Sequence, residues 1–124
     1  MKRDMDLVRY ILISAESAED GLKLSDVEPY GCDAKTAAFH IEMMRAHGLI
    51  DAKVTYAFGG APLYGEVSGL TWEGYEYLDA VRSNRVWEKA KSAVSKSIGE
   101  ASLSVMKELC SSIALSIAKS SIEM

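Results

Sequence analysis

Between residues 32 and 78 the chain sets a helical stripe, an alternating run, a glycine turn, a second extended run and another helix in succession. Asp33 is a good N-cap. Ala37, Ile41 and Met44 then fall on one helix face with His40 beside them, and Gly48 ends a helix read over 33–47. Residues 50–56 alternate, with Ile50, Ala52, Val54 and Tyr56 on one side, as in a half-buried strand. Phe58-Gly59-Gly60-Ala61-Pro62 is the turn, and residues 63–69 return as a second strand that brings Tyr64 near Tyr56. Thr71 is a natural N-cap for a helix whose inward stripe reads Tyr75, Leu78, Val81 and Arg82. Helix, hairpin and helix in this order predict a mainly α (α+β) fold: a winged helix-turn-helix-like domain with a β-hairpin wing and two C-terminal helices.

The flanks extend this pattern. Residues 3–18 carry Val8, Ile11, Leu12 and Ala15 at helical spacing, and Gly21 can close that helix. Residues 22–30 read equally as a short strand or a helical turn, closed by Pro29-Tyr30-Gly31. Ser83-Asn84 recaps a helix over about 85–97, Gly99 interrupts, and a last helix spans about 101–121. The predicted division is a winged-helix domain over 1–82 and a helical extension over 83–124. The extension's broad apolar face, with Leu103, Met106, Leu109, Ile113 and Ile117, suits packing or a homodimer.

Charge decides which partners fit. Residues 1–70 hold 7 Lys+Arg against 11 Asp+Glu, whereas residues 71–124 hold 7 of each, so the helix and turn lie in the acidic half. Neutralising phosphates supplies most of a nucleic-acid binder's affinity, and it needs a basic surface. A chain of 124 residues can bury roughly two-thirds of its unfolded surface, so it needs no disulfide or metal to fold. Asp6 and Arg9 interrupt the first apolar run, which reads as no signal peptide. No window resembles a membrane span of about 20 apolar residues. The expected compartment is the cytoplasm, with Cys32 and Cys110 as buried free thiols.

The opening MKRDMDLVR, the segment HIEMMRAHGLI and the block LTWEGYEYLDAVRSNRVWEKAK together resemble the bacterial and phage-borne domain-of-unknown-function family two-five-one-three. The resemblance covers about residues 1–96, and LTW-x-G followed by V-W is its most specific part. It implies a winged-helix fold and a phage or prophage setting, and it implies no activity.

The residues themselves point away from catalysis. His40 and His47 are roughly 10 Å apart by helix rise, too far to share one metal ion. His40 reads as a hydrogen-bonded core or flank histidine. Cys32 precedes a helix N-terminus, which can lower a thiol pKa, but nothing orients His40 as its base. Glu73, Glu76 and Asp79 lie at helix-surface spacing, and Gly59-Gly60 lacks the Lys-Ser/Thr of a phosphate loop. The expectation is no enzyme, no metal and no cofactor.

Two functions then compete. In a phage or prophage adaptor or regulator that binds a protein, a host protein included, the contacts would be Phe39, Met43, Phe58, Leu63 and Tyr64, since interfaces enrich aromatics and Met. In a DNA-binding transcription regulator, helix 33–47 would enter the major groove with Lys35, Thr36 and Arg45. Glu42 and Asp33 oppose those cations, and residues 57–65 contain no Lys or Arg. The protein-binding reading is therefore preferred.

Overall fold

In a computed structural model, residues 1–123 are described. They form α1 (Met5–Ser17), β1 (Leu22–Lys23), a 3₁₀ segment (Leu24–Tyr30), α2 (Ala34–His47), β2 (Ile50–Tyr56), β3 (Pro62–Leu70), α3 (Trp72–Val81), α4 (Asn84–Ser97) and α5 (Leu103–Glu123). The strands make one antiparallel sheet in the order β1-β3-β2. This is a mainly helical, α+β, winged-helix-like fold. The chain divides into two compact units, Met1–Glu76 and Tyr77–Met124. The division falls within α3, six residues before the boundary expected at 82.

In the first unit, α1 opens where the Asp4 carboxylate accepts from Asp6 and Leu7 N–H at 3.0 and 3.2 Å. It buries Val8, Ile11, Leu12 and Ala15, the stripe read from the sequence, and Leu7 beside them. Residues 22–30 turn out to be both of the expected alternatives, two residues of strand and then seven of 3₁₀ helix. Lys23 N–H donates to the Asp26 carboxylate at 2.8 Å, and Pro29 has no N–H for an α-helical bond, which keeps the segment tight and short. Helix α2 agrees with the sequence at both ends. Asp33 accepts from Thr36 N–H at 2.8 Å, and Gly48 takes φ +88°, its N–H bonding Arg45 C=O at 3.0 Å.

The wing departs from expectation in register. Thr55 pairs with Tyr64 and Tyr56 with Pro62, so Leu63 is an extra residue in β3. A second shift makes Ser68 an extra residue opposite the Asp51–Ala52 step. Because a one-residue slip exchanges the faces of a strand, Tyr64 lies opposite Thr55 and not beside Tyr56. Both bulges belong to β3, and β2 runs unbroken.

The start of α3 is welded to the end of α2. Thr71 N–H donates to Leu49 C=O at 3.1 Å, and its hydroxyl donates to Gly48 C=O while accepting Gly74 N–H at 3.1 Å. A Cβ on Gly74 would stand 2.0 Å from the Leu49 carbonyl oxygen. This contact accounts physically for the T-x-x-G of the LTW-x-G block. It also corrects the stripe of α3: the buried positions are Gly74, Tyr77, Leu78 and Val81, while Tyr75 and Arg82 are exposed.

In the second unit, the Ser83 hydroxyl caps α4, and α4 buries Val86, Trp87, Ala90 and Val94. Gly99, at φ +82°, breaks the chain, and Ser102 opens α5 by accepting from Val105 N–H at 3.2 Å. Helices α4 and α5 pack on each other. Met106 and Cys110 of α5 are buried, and Leu103, Leu109, Ile113 and Ile117 are half-buried. The stripe considered for a dimer is thus covered only in part; the large exposed apolar residues of α5 are Val105, Leu115 and Ile122. Among the described residues no helix is long and apolar enough to cross a membrane.

Candidate functional site

A groove of about 460 Å³ runs between α2 and the wing. Its apolar lining includes Phe39 and Met43 from α2, Tyr56 and Pro62 from the two strands, and Met1. Helical spacing puts Phe39 and Met43 one turn apart on the same side. Lys35 and Arg45, two of the three residues considered for DNA, line the same groove. Arg45 lies 3.6 Å from Glu42, which reduces its availability to a phosphate. Thr36, the third, is occupied otherwise. Its N–H bonds Asp33, and its carbonyl accepts from the His40 ring.

His40 fixes the inner side of α2. It is 1% exposed. Asp4 N–H donates to its Nε2 at 2.8 Å, so Nε2 must be the acceptor and Nδ1 carries the proton given to Thr36 C=O, also at 2.8 Å. Phe39 meets the His40 ring edge-on, with centroids 5.4 Å apart. The other Asp4 oxygen accepts from Tyr30 Oη at 2.8 Å, and Tyr30 stacks at a tilt on Tyr10. Burial first, then the Asp4 hydrogen bond and charge, hold the Tyr30 phenol well above its ordinary range. One polar cluster thereby ties α1, the 3₁₀ segment and α2 together behind the groove, and His40 is a structural histidine.

The five residues considered for protein contact do not form one patch. Phe39 and Met43 share the α2–wing groove. Leu63 and Tyr64 line a second groove, about 420 Å³, with Leu24, Cys32 and Ala37. Tyr64 donates to Glu66 at 2.6 Å, and that bond, with the nearby carboxylate charge, raises its pKa. Phe58 belongs to neither groove. It stands fully exposed at the tip of the wing, on a turn closed by Ala57 N–H to Ala61 C=O (2.7 Å) and Gly60 N–H to Ala57 C=O (2.9 Å). Cys32 does not have an activated thiol: burial first, and the Asp33 and Asp4 carboxylates, push it up, against a lowering backbone hydrogen bond. Among the described residues no three His, Cys, Asp or Glu side chains gather as metal ligands.

Besides Tyr75, two aromatic residues are exposed where sequence pattern gives no sign of it. Alternation puts Tyr56 on the half-buried face of β2, yet at the end of that strand it is 46% exposed and lines the groove. Trp72 is 77% exposed in the first turn of α3. Gly74, not Tyr75, begins the inward stripe of that helix, which turns residue 72 outward, and a glycine carries no hydrophobic signal.

Comparison with known proteins agrees on the family and is silent on activity. Residues 2–100 match the family described as Hypothetical protein (DUF2513). A protein of Haemophilus influenzae described as "Uncharacterized protein" is 32% identical over 115 residues, covering 91% of this chain and 95% of its own length. No solved structure matches the chain.

Proposed function

This chain belongs to the DUF2513 family, and we propose that it serves there as a non-catalytic adaptor or regulator that binds a protein through α2 and the wing. The observation that supports this most is Phe58. A fully exposed phenylalanine on a turn braced by its own hydrogen bonds is an anchor presented to a partner. The apolar groove between α2 and the wing, with Phe39, Met43 and Tyr56, offers the partner a place to settle. On this reading the protein works in a phage or prophage setting, as the family resemblance implies, and acts on a host protein in the cytoplasm without a cofactor. This reading does not use the α5 stripe, which stays half-buried at Leu103, Leu109, Ile113 and Ile117.

A DNA-binding regulator is the alternative, supported by Lys35 and Arg45 lining the same groove. It is the weaker reading. Arg45 is paired, Thr36 is engaged within its own helix, and the wing turn carries no cation.

The test is a pull-down from nuclease-treated host lysate with the tagged chain, its Phe58→Asp variant and a Lys35→Glu/Arg45→Glu variant, with a parallel untreated sample scored for nucleic acid. A stoichiometric protein band that survives nuclease and salt, and is lost with Phe58→Asp, is the expected outcome. A discrete DNA fragment in the untreated sample, lost with the charge-reversed variant and with no protein band, establishes the regulator instead.

A further inference from the structure

The sheet ends on β2, whose outer edge has no strand neighbour among the described residues. Natural edge strands are usually blunted by bulges, prolines or brevity, because open N–H and C=O groups invite another strand. Here the bulges lie in β3, and β2 keeps seven regular residues. Its polarity can be read from one bond. Ser68 Oγ donates to the Asp51 carbonyl at 3.0 Å, so Asp51 turns its backbone toward β3. Alternation then turns Lys53 and Thr55 the same way and leaves Ala52 and Val54 facing the open edge. The side chains of Asp51, Lys53 and Thr55 lie together on one face of the sheet, and all three are exposed.

These constraints select a partner. Two antiparallel β2 strands can hydrogen-bond only if outward-facing residues meet outward-facing residues. Centred on Ala52, the register pairs Ala52 with its own copy and Ile50 with Val54. In that register Asp51 of each strand stands opposite Lys53 of the other, twice, in the close non-hydrogen-bonded positions. The next permitted register sets Lys53 against Lys53. The strand is therefore charge-complementary to itself in one alignment and self-repelling in its neighbour. We propose that the protein forms a two-fold homodimer by antiparallel β2–β2 pairing centred on Ala52, with reciprocal Asp51–Lys53 pairs setting the register. The surface differs from the α5 stripe, and the proposal does not depend on the protein-binding reading above.

The experiment is sedimentation equilibrium of the full chain over a range of concentrations, for the parent, Lys53→Asp, Asp51→Lys, and the double exchange Asp51→Lys/Lys53→Asp. The parent is expected to show a reversible monomer–dimer equilibrium. Each single reversal should weaken it by about tenfold, since two opposite-charge pairs become like-charge pairs. The double exchange should restore it. Circular dichroism identifies a variant that has failed to fold, and the other single reversal then carries the test. A parent that stays monomeric, a dimer indifferent to the single reversals, or a double exchange that does not recover each overturns the proposal.

Discussion

Glycines do opposite work at the start of α3 and at the tip of the wing. At the weld between α2 and α3, Gly74 is required because a side chain has nowhere to go: a Cβ would stand 2.0 Å from the Leu49 carbonyl oxygen. In the turn, Gly59 and Gly60 have open space around them but adopt φ +110° and +94°, which residues with a Cβ rarely tolerate. The first region is fixed by its neighbours, and the second by its own backbone. A region of the second kind can carry a partner-facing residue such as Phe58 without involving the core. That independence suits the wing to the role proposed for it.

The contrast can be tested by substitution. The largest effect belongs to Gly74→Ala, which must displace backbone and should destabilise the first unit by about 3 kcal/mol or more, read from urea unfolding. Full stability in that variant would mean that α3 can shift without cost, and the weld would lose its meaning. Thr71→Ala removes both the cap on Gly74 N–H and the bond to Gly48 C=O, and should cost about 1–2 kcal/mol by the same measurement. Gly60→Ala should cost about 1–2 kcal/mol from its positive φ. Its loss of amide-exchange protection should stay within residues 57–61, and a loss reaching α2 would break the contrast.

The smallest effect concerns the other end of α2. The Thr36 hydroxyl and N–H hold the Asp33 carboxyl below the ordinary carboxylate range. A depressed value means that Asp33 adds stability above the unfolded carboxylate pKa and loses it as pH falls through the folded value. In the Asp33→Asn variant the cap is an amide, which does not titrate. The stability of the parent relative to that variant should therefore fall on acidification from neutral pH. A difference that stays constant or grows would contradict the sign.

Helix α2 is legible in the sequence because both of its ends are local: Asp33 and Gly48 each act within four residues of themselves. For α1 only the buried face is legible: Asp4 caps it, and it stops at Ser17 with Ala18, not Gly21, as its C-cap. Legibility fails wherever the deciding contact is distant or without a hydrophobic signal. Gly74 carries no apolar mark, so periodicity starts the stripe of α3 one residue late and hides the exposure of Trp72. The register of the wing depends on two extra residues in β3, which periodicity cannot locate. The patch from Phe39 to Tyr64 is a grouping by residue type, whereas the fold distributes it over two grooves and a turn. The broad apolar face of α5 reads as surplus, and within the chain only Met106 of its stripe is fully buried. Family membership and the α+β architecture are both readable, the one from the LTW-x-G block and the other from the helix–hairpin–helix order.

His40 has a spectroscopic consequence. With Nε2 receiving Asp4 N–H and Nδ1 bonded to Thr36 C=O in a site closed to solvent, the ring holds one proton in one tautomer. Such a proton exchanges slowly enough to give its own imidazole resonance, far from the backbone amides. The signal exists only while the cap of α1 stays docked on α2. It is a built-in lamp for the N-terminal helix, lit or dark as a partner leaves that helix in place or peels it away.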